Sequence, residues 1–324
     1  MKAAICTVYG APDVVRILDV PDPVAKPNEL LVRVCAATVS SGDARIRGSN
    51  FPSGFTLPAR LVFGMRRPRR KILGTELAGV VEFAGTNVTR FRSGDRVFFF
   101  SDTSMGCHCE LKTVPEDGLV ARIPAGFTFE EAASISFGGT TALYFLRDLG
   151  KLERGQRVLV IGASGAVGTA AVQLAKYFGA NVTGICSAAN AGLVSSLGAD
   201  NVIDYTQEDF AQRNEQWDIV LDTVGGASLA QCRRVLFPTG RLLLAVAGLR
   251  DMLQAPFQSQ SNGVTIAAGT AAARLDDIGE LQRLCESGAF RPVIDRTYPL
   301  ARIVEAHARV DTGRKVGSVV VTPG

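Results

Sequence analysis

The stretch from Arg157 to Ala180 reads RVLVIGASGAVGTAAVQLAKYFGA, and the residues in it with chemistry to offer are Ala163, Ser164, Gly165, Ala166, Val167 and Gly168. A glycine-rich turn lets backbone approach a pyrophosphate closely, and the N–H groups and dipole of a helix N-terminus attract its negative charge. The spacing is that of G-x-G-x-x-G, with Ala163 in the place of the first glycine. An apolar run, Val158 to Ile161, precedes the turn, and an Ala/Val/Leu-rich helical pattern follows it. Strand, turn and helix in that order point to a bound dinucleotide. The next apolar run, NVTGIC, ends in Cys186-Ser187, and no acidic residue follows until Asp200. A site for NAD ends this strand with a carboxylate that binds the ribose 2′-OH. Without it the repulsion against a 2′-phosphate is gone, and Ser187 can donate a hydrogen bond to one. NADPH is therefore the expected cofactor. Asp222-Thr223-Val224-Gly225 and Ala247-Gly248 follow two further apolar runs, so Val224, Ala247 and Gly248 are expected beside the nicotinamide half.

These residues need a parallel sheet to position them. From Arg157 the strand-like runs RVLVI, NVTGIC, NVIDY, DIVLDTV, RLLLAV and VTIAAG alternate with helical patterns. Such alternation argues for a doubly wound α/β domain with helices on both faces, and six strands match a Rossmann unit. Upstream, AAICTVY, VVRILDV, ELLVRVCAATV, AGVVEFAGT, DRVFFF and ELKTV are separated by turns such as Gly10-Ala11-Pro12 and Arg92-Ser93-Gly94-Asp95. They predict an irregular, barrel-like β domain. Thr128-x-x-Glu131 is a capping box ahead of a long helix expected to reach Leu149. A last helix, Leu275 to Ser287, is followed by PVIDRTYPL and VGSVVVTP, β-like runs that rejoin the first domain.

With 324 residues the chain is long enough for two cores. Apolar and charged contents of 47% and 20% are those of a globular protein. No run of about 18 apolar residues predicts a membrane span. The start, MKAAICTVYGAPDVV, lacks a secretory signal, so a cytoplasmic location is expected. A net charge of +4 gives no argument for a nucleic-acid partner. Seven scattered cysteines read as reduced, buried thiols.

KPNELLVRVCAATVSSGDARIRG, ILGTELAGVVEFAGTNVTRFRSGDRVF, GASGAVGTAAVQLAKYFGANVTGICS and ADNVIDYTQEDF, in this order, resemble the medium-chain dehydrogenase/reductase superfamily. Within it they are similar to the zinc-free quinone oxidoreductase group that includes the zeta-crystallin-like enzymes. The resemblance runs from Met1 to the final VGSVVV. It implies a GroES-like catalytic domain over residues 1–124, completed by 290–324, and a Rossmann dinucleotide-binding domain over 125–289, with the active site in the cleft between them. It also implies that Tyr205 contacts the 2′-phosphate and that Thr141 lies beside the nicotinamide. Ser40 stands where relatives often have Asn, within reach of a substrate oxygen or the cofactor. Several relatives carry Lys where this chain has Asn190, and a neutral donor contributes less than an ammonium against a phosphate. Relatives often pair the sheet edge corresponding to GVTIAAG, which implies a homodimer.

The zinc-dependent branch places a Cys after the strand ending in Val39, then a Gly-His-Glu. Here Ser40 and Ser41 and then Gly74-Thr75-Glu76 stand in those places, and hydroxyls are poor zinc ligands. Cys107-His108-Cys109 is the remaining cluster. On a strand its two thiols share one side while His108 faces away, and His307 is the only other histidine. No metal is expected. Without a Lewis acid a conjugated acceptor is favoured, because hydride addition to it gives a delocalised oxyanion that hydrogen-bond donors can hold. The expected function is NADPH-dependent reduction of a small apolar quinone or α,β-unsaturated carbonyl. Two alternatives stay open: a zinc-independent alcohol or carbonyl reductase, and a non-catalytic NADPH-binding sensor or structural protein. Asp43 and Arg47 are expected to form an internal ion pair or hydrogen-bond network shaping the turn after Ser40. The segment Phe51 to Lys71, FPSGFTLPARLVFGMRRPRRK, joins six cations to an apolar loop. It reads as a solvated basic loop, a lid admitting apolar substrates, or a membrane-surface contact.

Overall fold

The computed structural model describes residues 1–250, 252–253 and 263–323. The chain divides into two compact units, one of Met1–Phe51, Thr56–Phe137 and Ala273–Gly324, the other of Pro52–Phe55 and Gly138–Ala272.

The first unit is built on strands. β1 (Lys2–Cys6) and β2 (Val15–Asp19) form an antiparallel pair. β3 (Glu29–Val39), β4 (Glu76–Ala84), β5 (Arg96–Phe100), β6 (Leu111–Pro115) and β7 (Leu119–Arg122) join the C-terminal β14 (Ile294–Pro299) and β15 (Ser318–Thr322). Their order is β14-β15-β3-β4-β5-β7, with β6 paired to β3, which places both tail strands in one sheet with β3. Leu30, Val32 and Val34 alternate inward along β3, as the two-residue period of a strand requires, and pack with Leu77, Val81 and Val97. The end of β3, Ala36–Val39, is buried throughout and delivers Ser40 to a buried position.

Several elements of this unit differ from expectation. The stretch after Ser40 is a helix, α1 (Ser41–Gly48), and α2 (Thr56–Phe63) follows it. The capping box at Thr128 forms: Thr128 Oγ1 accepts the Glu131 N–H at 3.2 Å and the Glu131 carboxylate accepts the Thr128 N–H at 3.0 Å. Yet the long helix breaks after α3 (Phe129–Ala133), where the Ser134 hydroxyl bonds back to the Glu130 carbonyl. It resumes as α4 (Ser136–Leu143), which from Gly138 onward belongs to the second unit, and ends there in π-type turns over Tyr144–Leu149. The helix α8 (Leu275–Glu286) is not the last, because α9 (Ile303–Asp311) lies between the two tail strands. Its Ile303, Ala306, His307 and Val310 are buried at helical spacing. α3 packs on β3 and β4, and α8 packs on β7. Residues 125–137 and 273–289, expected with the Rossmann domain, therefore group with the strands.

The second unit carries the expected parallel strands: β8 (Arg157–Ile161), β9 (Asn181–Cys186), β10 (Asn201–Asp204), β11 (Trp217–Asp222), β12 (Leu236–Leu244) and β13 (Thr265–Ala268). Their order, β10-β9-β8-β11-β12-β13, is that of a Rossmann sheet, with the switch point between β8 and β11. Val158–Val160 and Ile219–Leu221 have no exposed surface, as strands covered on both faces require. The helices α5 (Ala166–Tyr177), α6 (Ala188–Ser196) and α7 (Leu229–Arg234) complete the alternation. Among the described residues β13 pairs only with β12, so GVTIAAG is a sheet edge.

Candidate active site

The turn after β8 has the shape of a phosphate cradle. Gly162 sits at φ +79°, and its own N–H and that of Ala163 both donate to the Ile185 carbonyl, at 3.1 and 2.9 Å. A side chain there is barred twice, by the left-handed backbone and by Val224 Cγ1 and Thr223 Oγ1, which lie 2.6 and 2.7 Å from where its Cβ would stand. Gly168 is needed for close packing: its Cβ would stand 2.0 Å from the Gly162 carbonyl oxygen. Gly165 is the N-cap of α5, and no side chain caps the helix. The first turn of α5, from Ala166 and Val167, thus presents N–H groups and a positive dipole end at the turn. Ala163 is fully buried.

At the neighbouring strand end the Asn190 amide donates to Ser164 Oγ (3.2 Å) and Ser187 Oγ (3.4 Å). Three of the expected cofactor residues are thereby brought into one hydrogen-bonded group joining the cradle to the end of β9. Tyr205 is beside it, because its N–H donates to the Cys186 carbonyl at 3.2 Å, and the residue is 63% exposed. Asp200 is engaged elsewhere, by Lys176 at 2.8 Å and the Val182 N–H at 2.7 Å. One acid escaped the sequence reading. Asp204 pairs in register with Cys186, and its carboxylate is held below the usual range by the Thr206 N–H and hydroxyl and by the Ala188 N–H. Only the parallel pairing of β10 with β9 reveals it.

The buried Asp222 carboxylate accepts the N–H groups of Val224 (2.9 Å) and Gly225 (2.8 Å) and so fixes the turn after β11. The Thr223 hydroxyl donates to the Ile161 carbonyl at 2.8 Å, which ties that turn to the cradle. Gly225 packs on Val246, the residue before Ala247 and Gly248. Thr141 lies in α4, half-buried. That helix meets the start of α5 at Gly138, with the Ala166 carbonyl oxygen 2.5 Å from where a Cβ would stand.

In the strand-built unit Ser40 is the N-cap of α1. Its hydroxyl donates to Asp43 Oδ2 at 2.6 Å and accepts the Asp43 N–H at 3.1 Å, while Asp43 Oδ1 takes the Gly74 N–H at 2.9 Å. The expected donor to a substrate oxygen thus already spends its hydrogen on a carboxylate. Arg47 does not pair with Asp43; its partner is Asp311, at 2.6 Å. Glu76 opens β4, and it is buried. It accepts the Thr38 hydroxyl and, at 2.7 Å, the Phe137 N–H, and burial pushes its carboxyl up to about 7. Cys107-His108-Cys109 forms no strand beyond one bridge at Cys109 to Ala3, and all three side chains are buried. His108 Nε2 lies 2.8 Å from the Thr38 carbonyl. Among the described residues no three His, Cys, Asp or Glu side chains gather as metal ligands.

Two family models match the chain: an alcohol dehydrogenase GroES-like domain over residues 26–147 and a zinc-binding dehydrogenase domain over 197–321. Mouse NAD(P)H oxidoreductase RTN4IP1, a mitochondrial protein by name, is 31% identical over 99% of this chain and 89% of its own length. The 2-methylene-furan-3-one reductase of Solanum lycopersicum is 30% identical over 100% of this chain and 79% of its own. Among solved structures, the quinone oxidoreductase from Coxiella burnetii superposes with a TM-score of 0.88 at 27% identity, over 100% of this chain and 99% of that one. The chain belongs to the medium-chain dehydrogenase/reductase superfamily of oxidoreductases, in its quinone oxidoreductase branch.

Proposed function

We propose that this protein is an NADPH-dependent reductase of small apolar quinones or α,β-unsaturated carbonyls that works without a metal. The observation that carries the proposal is the Asn190 amide bridging Ser164 and Ser187 at the mouth of the glycine cradle. A cluster of neutral donors at that strand end suits a 2′-phosphate better than a carboxylate does. When bound, the cofactor supplies the hydride. The turn Ala163–Gly168 and the N-terminus of α5 hold its pyrophosphate, and Ser187, Asn190 and Tyr205 hold the 2′-phosphate. Val224, Ala247 and Gly248 line the nicotinamide half, and Thr141 positions the ring. Ser40 can donate to a substrate oxygen only by releasing Asp43.

The zinc-independent reading is supported by the donors present. Ser40 and Thr75 offer hydroxyls, and both Glu76 oxygens already accept hydrogen bonds. Hydroxyls and an engaged carboxylate do not make a zinc site. The open edge of β13 supports a homodimer formed edge to edge.

The test is turnover of NADPH, followed by its absorbance, with a panel of quinones, enones and simple aldehydes, with and without a strong chelator. Turnover of conjugated acceptors that survives the chelator is expected. Activity on simple aldehydes alone would replace this proposal with a carbonyl reductase. Tight NADPH binding without turnover would make the protein a binding module, a reading that the Ser40–Asp43 bond favours.

A further inference from the structure

The segment from Thr56 to Lys71 is pinned on one side only. On its inner side Phe63 stacks on Phe51, with ring centroids 6.0 Å apart, and both pack against the core of the strand-built unit. The Tyr9 hydroxyl donates to the Gly64 carbonyl at 2.6 Å, and the Cys6 N–H donates to the Lys71 carbonyl at 2.7 Å. Arg60 lies over the Tyr9 ring and donates to Ser49 Oγ at 2.9 Å. On the outer side α2 turns Leu57, Leu61 and Val62 to solvent, with 60%, 56% and 60% of their surface exposed, and Met65 follows at 48%. Leu57 and Leu61 are one turn apart and share a stripe.

Arg66, Arg67, Arg69, Arg70 and Lys71 come next, all exposed. None of the five forms a side-chain hydrogen bond or ion pair among the described residues, although charges elsewhere on the chain pair widely. Single exposed apolar side chains are ordinary. Four of them beside five uncompensated cations are not. A second copy of the chain would bring the same cations face to face. A nucleic acid would neutralise the charge but leave the leucines in water, and the one aromatic ring of the segment, Phe63, is turned inward. An anionic bilayer satisfies both halves, with acyl chains for the apolar stripe and headgroups for the cations.

We propose that residues Thr56–Lys71 form a peripheral docking surface for an anionic lipid bilayer, with α2 lying at the headgroup–acyl boundary. Among the described residues no helix is long and apolar enough to cross a membrane, so the contact is one of surface docking. The proposal does not rest on the catalytic reading.

The test is co-sedimentation of the full chain with vesicles of phosphatidylcholine alone or mixed with phosphatidylglycerol. Pelleting with the mixed vesicles only, weakening as salt is raised, is expected. R66Q/R67Q/R69Q/R70Q lowers the partition coefficient by more than about tenfold, because each cation near an anionic surface adds to binding. L57S/L61S/V62S lowers it as well, and the thermal melting of both variants, unchanged from wild type, separates lost docking from lost fold. No pelleting with either vesicle, or equal pelleting with both, overturns the proposal. Retained binding by the four-arginine variant does so too. Tighter retention by an oligonucleotide that ignores the leucine variant, or self-association that the leucine variant abolishes, would assign the face to another occupant.

Discussion

Glu76 holds both of its oxygens in donated hydrogen bonds and still has its carboxyl raised to about 7, because burial outweighs the bonds from Thr38 and Phe137. Asp43 pushes the same way and the half-buried Lys315 opposes it. The unfolded chain releases this proton near 4.5, the folded chain near 7. Between those values the folded state binds more protons, so its stability falls as pH rises. The contribution is fully present below about 4.5 and lost above about 7. Glu76→Gln keeps the shape without the charge: the amide can donate to Thr38 while its oxygen accepts from Phe137. The variant should therefore gain up to roughly 3 kcal/mol over wild type above the folded pKa and nothing below the unfolded one. Urea unfolding across this pH range measures the gap; a wild-type advantage at the alkaline end would mean that the site stabilises the anion. A second residue-scale prediction concerns the cradle. Gly168→Ala drives a Cβ against the Gly162 carbonyl, 2.0 Å away, and should cost about 1–3 kcal/mol and most of the nucleotide binding. Ala163→Gly adds no atom to the turn and should lose only about 1 kcal/mol, with binding retained. Thermal melting and NADPH titration of the two variants check both halves.

At the scale of elements, the proposed preference for NADPH rests on the end of β9. Asn190→Lys puts an ammonium where the amide now bridges Ser164 and Ser187, and should tighten NADPH binding by about tenfold while leaving NADH unchanged. Ser187→Asp should reverse the preference by restoring a carboxylate at the strand end. Fluorescence titration with each dinucleotide reads both variants; equal shifts for the two dinucleotides would remove Asn190 from the 2′-phosphate. The elements that build this site were legible because their signals are local. The strands of the second unit are unbroken apolar runs between turns, the cradle is a spacing of small residues, and the Thr128 box is a four-residue pattern. What stayed hidden depends on partners far along the chain. Asp204 matters only because β10 pairs with β9, and Arg47 finds Asp311 rather than the nearby Asp43. α1 and α2 were missed because each is only two turns long, too short for an apolar period to stand out from a loop.

For the molecule as a whole the cysteines report how the two units open. Of the seven, only Cys35 is partly exposed. Burial raises every one of these thiols: Cys109 and Cys186 reach about 11, Cys232 and Cys285 about 12, and Cys107 goes higher still. Thiolate, the reactive form, is therefore scarce in the folded protein at neutral pH, and alkylation of a buried site requires local or global opening. Native labelling should modify Cys35 alone, and labelling in denaturant should modify all seven. Cys186 and Cys232 belong to the Rossmann unit, the other five to the strand-built unit. A ligand stabilises the state that binds it, by about 2.7 kcal/mol at a concentration of a hundred times Kd. NADPH held by the cradle should thus slow labelling of Cys186 and Cys232 by up to about a hundredfold in mild denaturant and slow Cys6 and Cys107 less. Site-resolved mass spectrometry of pulse-alkylated protein gives the seven rates in one experiment. Equal protection at all sites would show the two units unfolding as one, and no protection at Cys186 would remove the nucleotide from the cradle.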